Sequence, residues 1–231
     1  MIAAKWTVKN NATEAEVLIY DEIGEDWSGD GISAKAFVSD LDGLSPTVET
    51  ITVRLNSPGG DVFEGLAIYR ALLRNSAMVM VEIDACAASI ASVIAMAGDT
   101  IRMADTASLM IHDPYSFAVG NAADMREMAD LLDHVARNIV VAYTSRTGVE
   151  AEPIRAAMQA ETWYSADEAL AAGLVDEVAG SSVAIAAKIA AGRFRNTPKS
   201  LLGDAKMPNK QPIRHRLESA RRALRIAGLD A

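Results

Sequence analysis

Three histidines and a few serines set among small residues are the groups in this chain from which nucleophilic chemistry could be built. A serine hydroxyl is a weak nucleophile at neutral pH and needs a proton acceptor beside it. His134 falls inside a long helical pattern next to Asp133 and Arg137 and should face solvent. His215 sits between Arg214 and Arg216 in a basic C-terminal region. His112 differs from both. It follows the apolar run Ser108–Ile111 and precedes Asp113-Pro114, which marks the end of a buried strand, the place where α/β proteins gather their sites.

A matching nucleophile is Ser89, in the segment Asp84-Ala85-Cys86-Ala87-Ala88-Ser89-Ile90-Ala91-Ser92. The segment runs from a strand into an apolar helix, and a helix start carries unpaired N–H groups that favour developing negative charge. Small neighbours would let a peptide backbone approach. Close packing alone would also explain two serines three residues apart. Ser92 lies almost a turn deeper and is expected to be buried, and Cys86 reads as a small core residue. A second turn, Asn56-Ser57-Pro58-Gly59-Gly60, separates a strand from a helix, and glycine there can aim a backbone N–H into a site. A phosphate cradle fits it less well, because neither GxxxxGK[ST] nor GxGxxG is present.

The elements that must position these residues follow from periodicity. Strands are expected at Val17–Tyr20, Ile51–Leu55, Met78–Ile83, Thr100–Met103, Ser108–Ile111 and in the final Leu174–Val178 run. Helices are expected over Ser33–Leu41, Val62–Arg74, Ala88–Ala97, Ala122–Tyr143 and Glu150–Gln159. Another should open at the capping box Ser165–Glu168 and end at Gly173. Strand–turn–helix units in succession predict an α/β fold with mostly parallel pairing.

Composition narrows the class. With 231 residues, half of them apolar, the chain can bury one sizeable core plus a tail. One cysteine excludes an internal disulfide framework and a cysteine-based zinc site, and a free thiol suits a reducing compartment. No cofactor and no metal is expected. The N-terminus lacks a secretory signal pattern, and the longest apolar run, 90–98, is too short to span a bilayer, so the expectation is a soluble cytoplasmic protein without membrane contact. The net charge of −9 is divided unevenly. Residues 188–231 carry 11 Lys and Arg against 3 Asp and Glu, a net of +8, and residues 1–187 carry 11 against 28, a net of −17. An acidic body with a basic tail is a signal for partners. The reading divides the chain into a domain over 1–180 and a basic extension over 181–231. Within the extension, helices are expected over 183–191 and 214–226, with a linker over 196–212.

Four segments resemble one known family. Asn56–Leu72 (NSPGGDVFEGLAIYRAL) resembles the NSPGG turn and following helix of the ClpP family of caseinolytic serine proteases. Ala85–Gly98 resembles its GQAAS nucleophile segment, with Ser89 in the serine place, and Ser108–Pro114 resembles its MIHxP segment, with His112 in the base place. Glu161–Val178 (ETWYSADEALAAGLVDEV) resembles its last catalytic segment. The likeness covers about residues 17–178 in matching order. The details ETW and KWTVKN look most like phage and prophage members, the head maturation proteases.

The resemblance implies a spiral of ββα units, shared with the crotonase enzymes, and a protruding handle helix. It implies a Ser89–His112–Glu161 triad and an oxyanion hole made by the N–H groups of Gly59 and Ile90. It also implies protein or peptide substrates and a homo-oligomeric ring. Two positions depart from the family pattern: the third catalytic residue is Glu161 where most members have Asp, and Ala85 stands in place of the first glycine. Asp113 and Asp167 are alternative carboxylates that do not align. Head maturation by analogy would let the basic tail meet a capsid or scaffolding protein. Specific nucleic-acid binding is not expected, since no aromatic residue follows Phe194 to stack on bases. The competing expectations are a housekeeping ClpP subunit under a separate ATP-driven unfoldase, a crotonase-type acyl-CoA enzyme, and an inactive assembly scaffold.

Overall fold

The computed structural model describes residues 9–10, 13–25, 31–180 and 189–202. In chain order the elements are β1 (Lys9–Asn10), β2 (Glu14–Ile19), β3 (Gly24–Glu25), β4 (Gly31–Ile32), α1 (Ala34–Asp42), β5 (Thr50–Ser57), α2 (Val62–Leu73) and β6 (Met78–Ala88). There follow α3 (Ile90–Ala95), β7 (Thr100–Ala104), β8 (Ser108–Ile111), α4 (Ala122–Thr147), α5 (Ala151–Ala160), β9 (Thr162–Ser165), α6 (Ala166–Ala171) and β10 (Glu177–Ala179). The chain divides into two compact units, residues 1–187 and 188–231.

In the first unit the main sheet runs β1-β2-β5-β6-β7-β10, parallel from β2 to β10, with β1 antiparallel at one edge. The mostly parallel α/β architecture expected from the sequence is the one observed. The strands alternate, as ITVRL predicts: Ile51, Val53, Leu55 and Ser57 are buried, and their neighbours are half-exposed. A parallel sheet covered on both faces would read as a continuous apolar run. Here the second face is polar, with Arg54 bonded to Asp84 and, at 2.9 Å, to Glu82, and Arg102 reaching Glu82 at 3.3 Å.

The long strand β6 creates the geometry of the site. Its first half pairs with β7 through Met80–Ile83, and its last three residues pair instead with β8: Cys86 with Ser108, Ala87 with Leu109, Ala88 with Met110. Its register against β5 shifts between Leu55 and Ser57, an irregularity of the β-bulge kind close to where β6 changes partner from β7 to β8. The helix expected over 88–97 is therefore only Ile90–Ala95. The alanines before it have helical propensity, but the ladder with β8 holds them extended. The last strand is likewise shorter than expected, Glu177–Ala179.

A capping box opens α4, with Asn121 accepting from Ala123 N–H at 2.7 Å and Asp124 accepting from Asn121 N–H at 2.7 Å, and Gly148 in the left-handed region ends it. Its apolar stripe divides. Val135, Ile139, Val140 and Tyr143 are buried, whereas no residue from Ala122 to His134 is, and Met125 and Leu131 are exposed. His134 is exposed, as expected. No helix among the described residues is long and apolar enough to cross a membrane.

In the second unit, Ile189 bridges Leu202 and Lys199–Leu201 form a single 3-10 turn. Residues 189–191 are thus not helical; residues 183–188 of that expected helix, 203–212 of the linker and the helix over 214–226 lie outside the described residues.

Candidate active site

Ser89 stands at the junction of β6 and α3 with φ 57° and ψ −131°, a conformation that L side chains rarely adopt. Such backbone costs on the order of 1–3 kcal/mol and persists only where the surroundings impose it. The surroundings here are explicit. Ala87 and Ala88 are locked into the β8 ladder, Ser89 N–H donates to Met110 C=O at 3.0 Å, and α3 begins at the next residue. The turn leaves Ser89 half-exposed at the carboxyl end of the strand, between the buried Ala88 and Ile90. No side chain caps α3, so the Ile90 N–H, first in the helix, has no partner within it. With six residues the helix contributes little macrodipole; local N–H geometry is what the turn offers.

The strand β8 carries His112 to the same place. Its Nε2 lies 2.7 Å from Ser89 Oγ, hydrogen-bond distance for a base and its nucleophile. His112 is half-buried, and the exposed Tyr115 ring sits 5.7 Å from its imidazole, centroid to centroid.

The structure brings Glu161 to this neighbourhood through a strand the sequence reading did not separate. Thr162–Ser165 form β9, antiparallel to β8, with Thr162 opposite Ile111. Continued by one residue, that register sets Glu161 across from His112, and Asp113 N–H donates to Met158 C=O at 3.1 Å to close the ladder. Glu161 is 5% exposed, has φ 53° at the end of α5, and its Oε1 lies 3.5 Å from the Trp163 indole nitrogen. Asp167 instead belongs to the first turn of α6.

The NSPGG turn packs directly on the nucleophile. Gly59 has φ +84°, and a Cβ there would stand 2.7 Å from Ser89 Cβ and 2.6 Å from the Ala88 carbonyl oxygen, so only glycine fits. Gly60, at φ +157°, forms a bridge with Ile23, and a Cβ would strike the Ile23 carbonyl at 2.0 Å. Of the two expected oxyanion donors, Gly59 N–H donates to the buried Ser57 Oγ at 3.1 Å, and Ser57 Oγ in turn donates to Asp21 C=O at 2.6 Å. Ile90 N–H, the second expected donor, opens the helix α3 one residue after Ser89, with no side chain capping that helix. Behind the turn, the fully buried Ser92 hydroxyl reaches Tyr143 on α4 at 2.7 Å. Sequence reasoning did not single out Ser57 or Tyr143. Ser57 was visible only as part of a turn motif, and Tyr143 only as the last residue of the expected helix Ala122–Tyr143.

Fold and site together define an α/β protein with a serine–histidine pair at the ends of two adjacent strands. The sequence model of the family described as Clp protease matches residues 7–182. The chain is 31% identical over 140 residues to an "ATP-dependent Clp protease proteolytic subunit" of Bacteroides fragilis, covering 60% of this chain and 67% of that protein. It is 32% identical over 146 residues to "ATP-dependent Clp protease proteolytic subunit 3" of Rhodococcus jostii, covering 62% and 72%. It is 28% identical over 138 residues to "ATP-dependent Clp protease proteolytic subunit 1" of Leifsonia xyli subsp. xyli, covering 59% and 70%. The chain belongs to the Clp protease family.

Proposed function

We propose that this protein is an ATP-independent serine endopeptidase with a Ser89–His112–Glu161 triad that works as a head maturation protease, cleaving capsid or scaffolding proteins during phage assembly. The 2.7 Å approach of His112 Nε2 to Ser89 Oγ, with Ser89 held at positive φ, carries the reading. In the first half-reaction Ser89 Oγ attacks the scissile carbonyl carbon as its proton passes to His112 Nε2. The tetrahedral oxyanion is met by the Ile90 N–H, and by Gly59 N–H as it is shared with Ser57. Collapse breaks the C–N bond, and His112 gives its proton to the leaving amine. Water then attacks the acyl-enzyme carbonyl, its proton passing to His112, and the ester bond to Ser89 breaks as the serine regains a proton. Glu161, opposite His112 in the β8–β9 register, holds the imidazole in the tautomer that leaves Nε2 free to accept and stabilises its cation.

The phage assignment is supported by the likeness of the ETW and KWTVKN segments to phage members and by the basic tail. In this reading the tail engages acidic capsid or scaffolding protein, and the enzyme acts in the host cytoplasm or within the assembling prohead. The exposed first half of α4, with Met125 and Leu131 unburied, supports assembly of several copies into a ring. A second reading is favoured by the names of the relatives, which are proteolytic subunits of ATP-dependent proteases: a general ClpP-like subunit served by a separate unfoldase. Purified protein incubated with an unfolded protein substrate, without nucleotide, separates the two. Cleavage by wild type and none by Ser89→Ala is the result expected here. Cleavage that begins only when an ATP-driven unfoldase is added would favour the second reading, and no cleavage under either condition would leave an assembly scaffold.

A further inference from the structure

Ser92 and Tyr143 lie directly behind the nucleophile turn and take no part in the steps above. We propose that they are positioning residues: together they fix the plane of the Ser89–Ile90 peptide and so aim the Ile90 N–H at the oxyanion. The inference rests on the peptidase reading and deepens it by naming what holds the oxyanion donor.

Ser92 Oγ is 2.6 Å from Ser89 C=O, 2.9 Å from Met110 C=O and 2.7 Å from Tyr143 OH, and the residue is fully buried, so water does not compete. The direction of each bond follows from counting hydrogens. Burial pushes the Tyr143 phenol well above its ordinary value, so it stays protonated, and Ser92 is its hydrogen-bond partner. If Ser92 donated to Tyr143, neither carbonyl would receive the serine hydrogen. With Tyr143 donating to Ser92 Oγ, the serine hydrogen goes to the carbonyls, chiefly to Ser89 C=O, the nearer of the two.

That carbonyl and the Ile90 N–H belong to one peptide unit. The unit is planar and trans, so its C=O and N–H point in opposite directions, and anchoring one end fixes the aim of the other. Ser92 anchors the carbonyl twice, through its hydroxyl and through its own N–H at 3.0 Å. A donor on the carbonyl also polarises the N–H of the same unit. Serine near a helix start often bonds back to a preceding carbonyl, as a purely local habit. Here the same hydroxyl also spans to Met110, two residues before His112, and to a tyrosine 51 residues away on α4. The network thus ties together the nucleophile turn, the strand that carries the base, and the buried half of α4.

The test is a double variant. Ser92→Ala alone would leave the Tyr143 hydroxyl buried without an acceptor, so Ser92→Ala is combined with Tyr143→Phe, which removes both polar groups together. Losing an oxyanion donor outright costs ~10²–10³ in kcat, and a donor left in place but free to tilt should cost about tenfold. The double variant should therefore fold, lose about tenfold in kcat on a fluorogenic peptide, and bind a peptide boronate more weakly by a similar factor. KM and the midpoint of the pH–rate profile should not move, because His112 is untouched. Tyr143→Phe alone should lose less, since Ser92 keeps its hydrogen for the carbonyl, and Ser92→Thr, which keeps the hydroxyl, should recover most of the rate. Wild-type kcat and boronate affinity in a folded double variant would overturn the inference. A rate loss with unchanged boronate affinity and a shifted pH midpoint would overturn it too, by pointing to His112. Wild type that fails to react with a fluorophosphonate would instead overturn the peptidase reading itself.

Discussion

Two strand-to-helix turns meet at the carboxyl ends of β5 and β6, and they are built on opposite principles. In the first, Asn56–Asp61, the positive-φ positions are glycines, and Asp61 caps α2 by accepting from Phe63 and Glu64 N–H at 2.9 and 3.0 Å. Every device there lowers the energy of the turn. In the second, Ala88–Ile90, the positive-φ residue is a serine, and the helix that follows has no side-chain cap. Strain and an uncapped helix start bring no structural return, and such departures from local consistency collect at functional sites. The relaxed turn braces the strained one: Gly59 lies so close to Ser89 that a single added methyl would collide with it.

Substitutions should separate the two turns by the kind of effect they have. His112→Ala removes the base from the strained side and should lower kcat by on the order of 10⁶-fold, if base and nucleophile act as a unit, with the circular dichroism of the fold unchanged. Glu161→Gln should lower kcat by about 10⁴-fold by releasing the imidazole from its working tautomer, with little change in KM. Gly59→Ala crosses from one turn to the other. It should lose ~10²-fold or more in kcat, as for a lost oxyanion donor, and lower Tm as well, because both φ and the contact with Ser89 are violated. Asp61→Ala strips the cap from the relaxed turn and should cost about 1 kcal/mol, lowering Tm by about 2–4 °C for a domain of this size, with kcat nearly intact. If Asp61→Ala proved as damaging to activity as Glu161→Gln, the distinction between the turns would fail.

The smallest effect is expected away from both. Hydrogen bonds from the Ser165 N–H and hydroxyl hold the Glu168 carboxyl below its ordinary value. A group lowered on folding stabilises the fold above its unfolded pKa and loses that contribution as pH falls through the folded one. Glu168→Gln should therefore weaken the capping box at neutral pH, and its acid-side loss of stability should be slightly shallower than that of wild type in urea titrations.

Much of this was legible in the sequence because it rests on local pattern. Alternation in ITVRL placed β5, spacing placed α2 and α4, and the Ser165–Glu168 box was read correctly as a helix start. The stretch Ala85–Ala88 was not legible: four small residues carry no period, and their extended form depends on pairing with β8, twenty-two residues further on in sequence. The four residues of β9 were too few to signal a strand, yet their register is what sets Glu161, rather than Asp167, across from His112. The roles of Ser57 and Ser92 depend on hydroxyl directions that only packing decides.

The central claim is that Ser89 is an activated nucleophile, and the most direct measurement is intact mass after reaction with a fluorophosphonate, wild type beside Ser89→Ala. Wild type should gain the mass of one probe, mapped to the peptide containing Ser89, and the variant should gain none. Folded wild type that stays unlabelled, or a variant labelled to the same extent, would contradict the account.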